Sequence, residues 1–180
     1  LKQIFTHLFF FKKIILFLIL SLSIFSATTK VTTPKIQEIK LNEIITVPEF
    51  CEFTIKNIVF SKKLYSSNPA EYYHYYESKD PEGIYFNAKI LLKSLLSESK
   101  EVSDFIDIEI IYNNKYKYKA YPLAEESDGS DFNSFAYIDP LRKLLTHSFV
   151  EVPLEVSTET QKPLYLIIKV NDKEYKYIVR

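Results

Sequence analysis

Two histidines beyond the N-terminal apolar segment could do chemistry if folding placed a carboxylate beside either of them. His74 lies in EYYHYYESKDPEG, and His147 lies in LLTHSFVEV. An imidazole together with a carboxylate can bind zinc or act as a general base. The spacing along the chain defines no such site, so isolated polar histidines are the simpler interpretation. A small metal-binding protein or hydrolase that uses His74 or His147 with a carboxylate remains the alternative function.

The stretch EESDGSD, from Glu125 to Asp131, offers alternating oxygen donors of the kind that calcium prefers. Asp128 and Asp131 are the candidate calcium ligands. The order of residues differs from that of the helix-loop-helix calcium loop, and a solvated acidic loop is the simpler interpretation. No cofactor is predicted.

A run of tyrosines around His74 is the candidate partner-binding patch. Its members are Tyr72, Tyr73, Tyr75 and Tyr76. Asn68, Pro69 and Glu71 form a helix-start pattern, which predicts a short helix over 69–77. On such a helix three of the tyrosines, at 72, 75 and 76, share one face. That face either contacts the core or is free to bind a partner.

The residues that support common catalytic sites are scarce. Glycine occurs only twice, which excludes glycine-rich phosphate loops, and the chain has no Gly-x-Ser-x-Gly motif. Cys51 is the single cysteine, so no internal disulfide can form, and its place between Phe50 and Phe53 indicates a buried thiol. A non-enzymatic protein is therefore predicted.

The N-terminus has the pattern of an export signal. Three lysines precede an apolar run over 14–25, and small residues follow it. This predicts a signal peptide or membrane anchor over 1–26, a polar linker over 27–42 and one domain over 43–180. The full chain has 23 basic and 23 acidic residues. Residues 1–26 contain three of the basic residues and none of the acidic ones, so the remainder has a net charge of −3. A slightly acidic domain argues against nucleic acid as a partner, and membrane contact is expected only through an uncleaved N-terminal segment.

From Glu43 onward, apolar and polar residues alternate with period two, which is typical of half-buried strands. The phase slips near Lys56-Asn57, which predicts a β-bulge. Seven or eight short antiparallel strands are expected, so the fold class is all-β, an immunoglobulin-like two-sheet sandwich.

Two hairpins can be registered from the sequence. A three-residue loop over 113–115 pairs Tyr112 with Tyr116 and keeps both faces consistent. A two-residue turn at Asn171-Asp172 pairs Ile168 with Tyr175. The strand within 144–152 has an ambiguous facing, because polar and apolar residues occur on both of its sides.

The order of these segments resembles a family of exported bacterial proteins of unknown function. The similar stretches are VPEFCEFTIKNIVFSK, GIYFNAKILLKSLLSES, IDIEIIYNNKYKYKAY and KPLYLIIKVNDKEYKY. The resemblance implies an immunoglobulin-like β-sandwich, related in fold to the mycobacterial immunoprotective extracellular antigen. It also implies an extracellular or cell-surface location, typically in Gram-positive bacteria, and supplies no catalytic residues. The chain departs from the family pattern at the turn over 94–97. The function expected is an exported binding module for a protein or cell-wall ligand.

Overall fold

The computed structural model describes residues 36–180, which form fifteen β-strands, one 3-10 turn at Val102–Asp104 and one short helix, α1, at Glu155–Thr158. The strands are β1 (Gln37–Ile39), β2 (Ile45–Val47), β3 (Cys51–Ser61), β4 (Lys63–Leu64), β5 (Tyr76–Glu77), β6 (Gly83–Ser94), β7 (Lys100–Glu101), β8 (Asp107–Tyr112), β9 (Tyr116–Lys119), β10 (Tyr121–Glu125), β11 (Phe132–Asn133), β12 (Tyr137–Ile138), β13 (Lys143–Pro153), β14 (Leu164–Val170) and β15 (Lys173–Ile178).

Two sheets form the body of the fold. One has the order β1-β15-β14-β8-β9, and the other has the order β11-β10-β13-β6-β3-β2. The subset β3-β6-β13-β10 corresponds to strands A-B-E-D of the immunoglobulin fold, and β9-β8-β14-β15 corresponds to C′-C-F-G. The predicted immunoglobulin-like β-sandwich is therefore confirmed, but fifteen strands form instead of the seven or eight expected, because seven strands of two or three residues accompany the eight of this subset. Strand β1, which pairs in parallel with β15, lies within the segment predicted to be a linker.

The core lies between the inner faces of these sheets. Strand β6 contributes Phe86, Ala88, Ile90 and Leu92, and all four are fully buried. The ring of Phe53 meets that of Tyr175 edge to face at 5.2 Å, which joins one sheet to the other. The apolar residues that alternate along the sequence of this strand are therefore the ones whose side chains face the core.

The predicted registers are confirmed. Tyr112 pairs with Tyr116 across a loop in which Asn113 and Asn114 have φ of 51° and 54°. Ile168 pairs with Tyr175 across the Asn171-Asp172 turn, where Asn171 has φ of 53°. The register of β3 shifts between Ile55 and Asn57, as the predicted bulge requires. Local turn chemistry and side-chain alternation are sufficient to set these pairings.

The predicted helix over 69–77 is wrong. This segment consists of bends and irregular backbone that lead into strand β5, and the only α-helix in residues 36–180 is α1. The backbone N–H groups of Asn68 and Ala70 donate to the carbonyls of Gly129 and Ser130, at 2.9 and 3.1 Å. The backbone N–H of His74, which inside a helix would donate to the Ala70 carbonyl, donates instead to Oδ1 of Asp131 at 2.8 Å, so tertiary contacts override the local capping pattern.

The facing of β13 is also resolved. Ser148 and Val150 lie opposite Ala88 and Phe86 on the core side, whereas His147 and Phe149 lie on the outer side. His147 is nevertheless completely buried. The outer face above it is covered by residues 62–82, named here the cover segment, and by the loop after β10.

None of the helices in residues 36–180 is long and apolar enough to cross a membrane.

Candidate functional site

The residues singled out in the sequence come together on the outer face of the six-stranded sheet. The cover segment crosses this face, and the loop over 126–131 lies beside it. Asp131 joins the two: its Oδ1 accepts hydrogen bonds from the backbone N–H groups of His74 and Phe132, at 2.8 and 2.7 Å. Its Oδ2 lies 2.8 Å from Nδ1 of His74. These bonds hold the pKa of the Asp131 carboxyl below its usual value, the bond from the His74 backbone being the largest cause.

Three tyrosines form a surface group, named here the tyrosine cluster: Tyr65 and Tyr75 are exposed, and Tyr73 is half-buried. Tyr65 lies 5.9 Å from each of the other two rings, and those two lie 6.2 Å apart. Lys63 places its ammonium 5.5 Å from the centroid of the Tyr75 ring. Because the rings support one another, the cluster presents aromatic surface with little side-chain freedom.

Tyr72 stands apart from these rings and is 88% exposed. It borders an open depression of about 420 Å³ that residues 71–75 line. Glu71 and His74 add a carboxylate and an imidazole to this rim. A side chain this exposed does not pack against the rest of the described fold. Tyr72 is therefore the best candidate of these tyrosines for contacting a partner.

Tyr76 has a different position from the other predicted patch residues. Its ring packs against Phe149 of β13 at 5.0 Å and against Phe132 at 5.8 Å. It therefore anchors the cover segment to the sheet. The structure brings Tyr73 and Tyr75 together, leaves Tyr72 beside them and assigns Tyr76 to packing.

Beneath the cover segment lies a buried polar network. His147 Nε2 lies 2.6 Å from Oε1 of Glu125, and its Nδ1 lies 3.0 Å from Nδ2 of Asn87. The hydroxyl of Ser67, in the cover segment, donates to the same Glu125 oxygen at 2.9 Å. Lys89 Nζ lies 3.9 Å from it. Glu125 is 3% exposed.

Burial lowers the pKa of His147, and the nearby Lys89 ammonium acts in the same direction. The neutral ring then donates from Nε2 to the Glu125 carboxylate and accepts at Nδ1 from the Asn87 amide. The Ser67 hydroxyl contacts Glu125 and not His147, so this is not the geometry of an activated serine. The network ties the cover segment to strands β6, β10 and β13.

The predicted calcium ligands serve as loop supports. Asp128 accepts a 2.9 Å bond from the Ser130 backbone N–H, and bonds from Ser130 lower the pKa of its carboxyl. Both oxygens of Asp131 are engaged by His74 and Phe132, as described above. Within residues 36–180, no three His, Cys, Asp or Glu side chains converge in a way that could hold a metal ion.

Sequence reasoning missed Tyr65, Glu125, Ser67 and Asn87. Tyr65 lies beside Tyr75 because Leu64 pairs with Tyr76, a pairing that the predicted helix over 69–77 does not allow. Glu125 and His147 had no signal in the sequence, since their contact depends on the packing of β10 beside β13 and on the cover above them.

Comparisons with known proteins agree with this fold. No protein-family model matches the chain, and no curated protein matches it. An uncharacterized β-sandwich protein from Clostridium difficile 630 superposes with a TM-score of 0.74 at 26% identity, covering 82% of this chain and 96% of its own. A conserved hypothetical protein from Bacillus anthracis gives a TM-score of 0.51 at 13% identity, covering 76% of this chain and 92% of its own. The chain thus shares its sandwich with uncharacterized β-sandwich proteins. The relation in fold to the mycobacterial antigen stays a prediction.

Proposed function

We propose that this chain is an exported, non-enzymatic binding module at the cell surface or outside the cell. Its contact surface is Tyr72 together with the tyrosine cluster, and its partner is a protein or a cell-wall component. The observation that carries the proposal is the 88% exposure of Tyr72 beside three mutually packed rings. Exposed tyrosines on a backbone held by long-range bonds offer large contact area at low entropic cost.

The two carboxylate–imidazole pairs support a binding role over the metal or hydrolase alternative. His147 and Glu125 are sealed beneath the cover segment, so a substrate has no route to them in this conformation. His74 and Asp131 are accessible, but Oδ1 of Asp131 already accepts a bond from the His74 backbone N–H, which holds the cover segment in place, and Oδ2 contacts the His74 ring.

The binding test compares two variants of the full chain, solubilised in a mild detergent where needed. Tyr72→Ala/Tyr75→Ala removes rings of the proposed surface. Tyr121→Ala/Tyr137→Ala is the matched control, because its two tyrosines are 65% and 62% exposed elsewhere in the fold. We expect quantitative binding to purified cell-wall sacculi or to cross-linked envelope proteins to be lost only in the first variant. Equal binding by wild type and both variants would refute the proposed surface.

The export proposal depends on the sequence of residues 1–26 and needs its own test. Cells expressing the full chain are separated into secreted, membrane and cytoplasmic fractions, and the N-terminus of the protein in each is determined by mass spectrometry. A secreted form that begins near Ala27 indicates cleavage, and an intact membrane form indicates an anchor. Recovery of the intact chain in the cytoplasm alone would exclude export.

A further inference from the structure

The outer face of the six-stranded sheet carries a second feature, away from the tyrosine cluster. Register places Glu52 of β3 beside Lys93 of β6, and Lys93 beside Lys143 of β13, in one row across three strands. Two lysines are therefore direct cross-strand neighbours. Like charges in this position repel each other and destabilise the pairing of strands.

A hollow of about 150 Å³ opens at this row, about five times the ~30 Å³ share of one water molecule. Its lining combines three lysines with one acid, one hydroxyl and two apolar side chains: Lys56, Lys93, Lys143, Glu52, Thr54, Ile44 and Leu91. Thr54 is buried, whereas Lys56 and Lys143 are exposed. A small group in the hollow would lie among lysine side chains from three strands.

The charges around the hollow do not balance. Lys93 donates to Glu52 at 3.1 Å, which occupies the acid that lines the hollow. Within the part of the chain that the structure describes, Lys56 and Lys143 form no salt bridge. Three positive charges thus surround one negative charge.

On the opposite sheet, three of the five strand lysines are paired with acids: Lys117 lies 3.3 Å from Glu109, Lys119 lies 3.6 Å from Asp107, and Lys169 lies 3.5 Å from Glu174. The other two are Lys176, which lies over the Tyr165 ring, and Lys173. What distinguishes Lys56 and Lys143 is that both line the same hollow together with Lys93.

We infer that this hollow binds a phosphate group, either free or as part of a polyphosphate chain. A phosphate matches the excess positive charge, and lysine ammonium groups are common phosphate ligands. The anion also relieves the repulsion between Lys93 and Lys143. Glu52 is expected to weaken phosphate binding. Its carboxylate competes with the phosphate for Lys93, and its negative charge repels the phosphate.

Calorimetric titration of the full chain tests this site, with inorganic phosphate and a polyphosphate chain as separate probes. Lys143→Gln is expected to weaken binding about tenfold, as the loss of a charged hydrogen-bond donor does. Glu52→Gln is expected to strengthen binding, because it frees Lys93. Lys169→Gln is the matched control, since it removes one lysine from the opposite sheet, outside the hollow, and is expected to leave the affinity unchanged.

Two results would overturn the site. The first is failure of both probes to bind, and the second is equal weakening by Lys143→Gln and Lys169→Gln, which shows that net charge alone attracts the anion. Binding of inorganic phosphate identifies a single phosphate group as the ligand, whereas binding of polyphosphate alone identifies a polymer as its source. Tyr72→Ala is expected to leave phosphate binding unchanged, so this result is separable from the test of the tyrosine surface.

Discussion

His147 Nε2 and Glu125 Oε1 lie 2.6 Å apart, and their side chains are 0% and 3% exposed. The pair lies on the outer face of its sheet, where side chains ordinarily meet water. The cover segment excludes that water, and Ser67 adds a third partner at 2.9 Å. A buried carboxylate is tolerated because each of these donors compensates for lost hydration.

Removal of the imidazole is expected to destabilise the fold strongly. His147→Leu leaves Glu125 buried with Ser67 but without its closest donor, and we expect a loss of about 3 kcal/mol in the free energy of unfolding. Urea denaturation followed by circular dichroism measures this loss. His74→Leu is the control, because the side chain of His74 is 84% exposed, and its effect should be much smaller. Equal losses in the two variants would contradict the buried role of His147.

Stability is expected to fall on mild acidification because of His147. Burial lowers the pKa of this group in the folded state below its ordinary value of 6.5. The unfolded chain therefore binds a proton first, and this contribution to stability is lost as the pH falls below about 6.5. Unfolding free energies measured between pH 7.5 and 5 (about the range in which histidine titrates) should decline with acidity in the wild type. His147→Gln should flatten this decline, and an unchanged slope would contradict the assignment.

The Cys51 thiol is expected to be unreactive in the folded protein. Burial, with a smaller contribution from the Glu52 carboxylate, raises its pKa to about 12, so almost no thiolate exists near neutral pH. Maleimide labelling followed by mass spectrometry should modify Cys51 only in denaturant. The denatured chain is the internal control, and rapid labelling of the native protein would show that the thiol is accessible.

Tyr76 and Tyr72 are expected to respond differently to truncation. Tyr76→Ala removes packing against Phe149 and Phe132, so we expect a stability loss of about 2 kcal/mol. It should also speed tryptic cleavage in the cover segment, which contains Lys62, Lys63 and Lys79. Tyr72→Ala should change neither property, because that ring is 88% exposed. Resistance of Tyr76→Ala to trypsin at the wild-type level would show that other contacts hold the segment.

Part of this fold follows from local rules. Alternation over 86–92 identified a core strand, and asparagines that tolerate positive φ set the hairpin loops at 113–115 and 171–172. The bulge near Lys56-Asn57 was predicted from a single shift in the phase of the apolar–polar alternation, and the register of β3 shows it. The helix predicted over 69–77 did not form, because its backbone donors pair with residues about sixty positions along the chain.

The sequence alone determined the strand pattern, the hairpin registers and the sandwich class, since these depend on neighbours along the chain and on turn residues. Only the tertiary structure decided that His147 is buried, that Tyr72 is free while Tyr76 packs, and that Lys93 and Lys143 are neighbours. Each of these facts requires two distant strands or loops to meet. The physical reason is that hydrophobic alternation reports which side of a strand faces the core, but not what covers its other side.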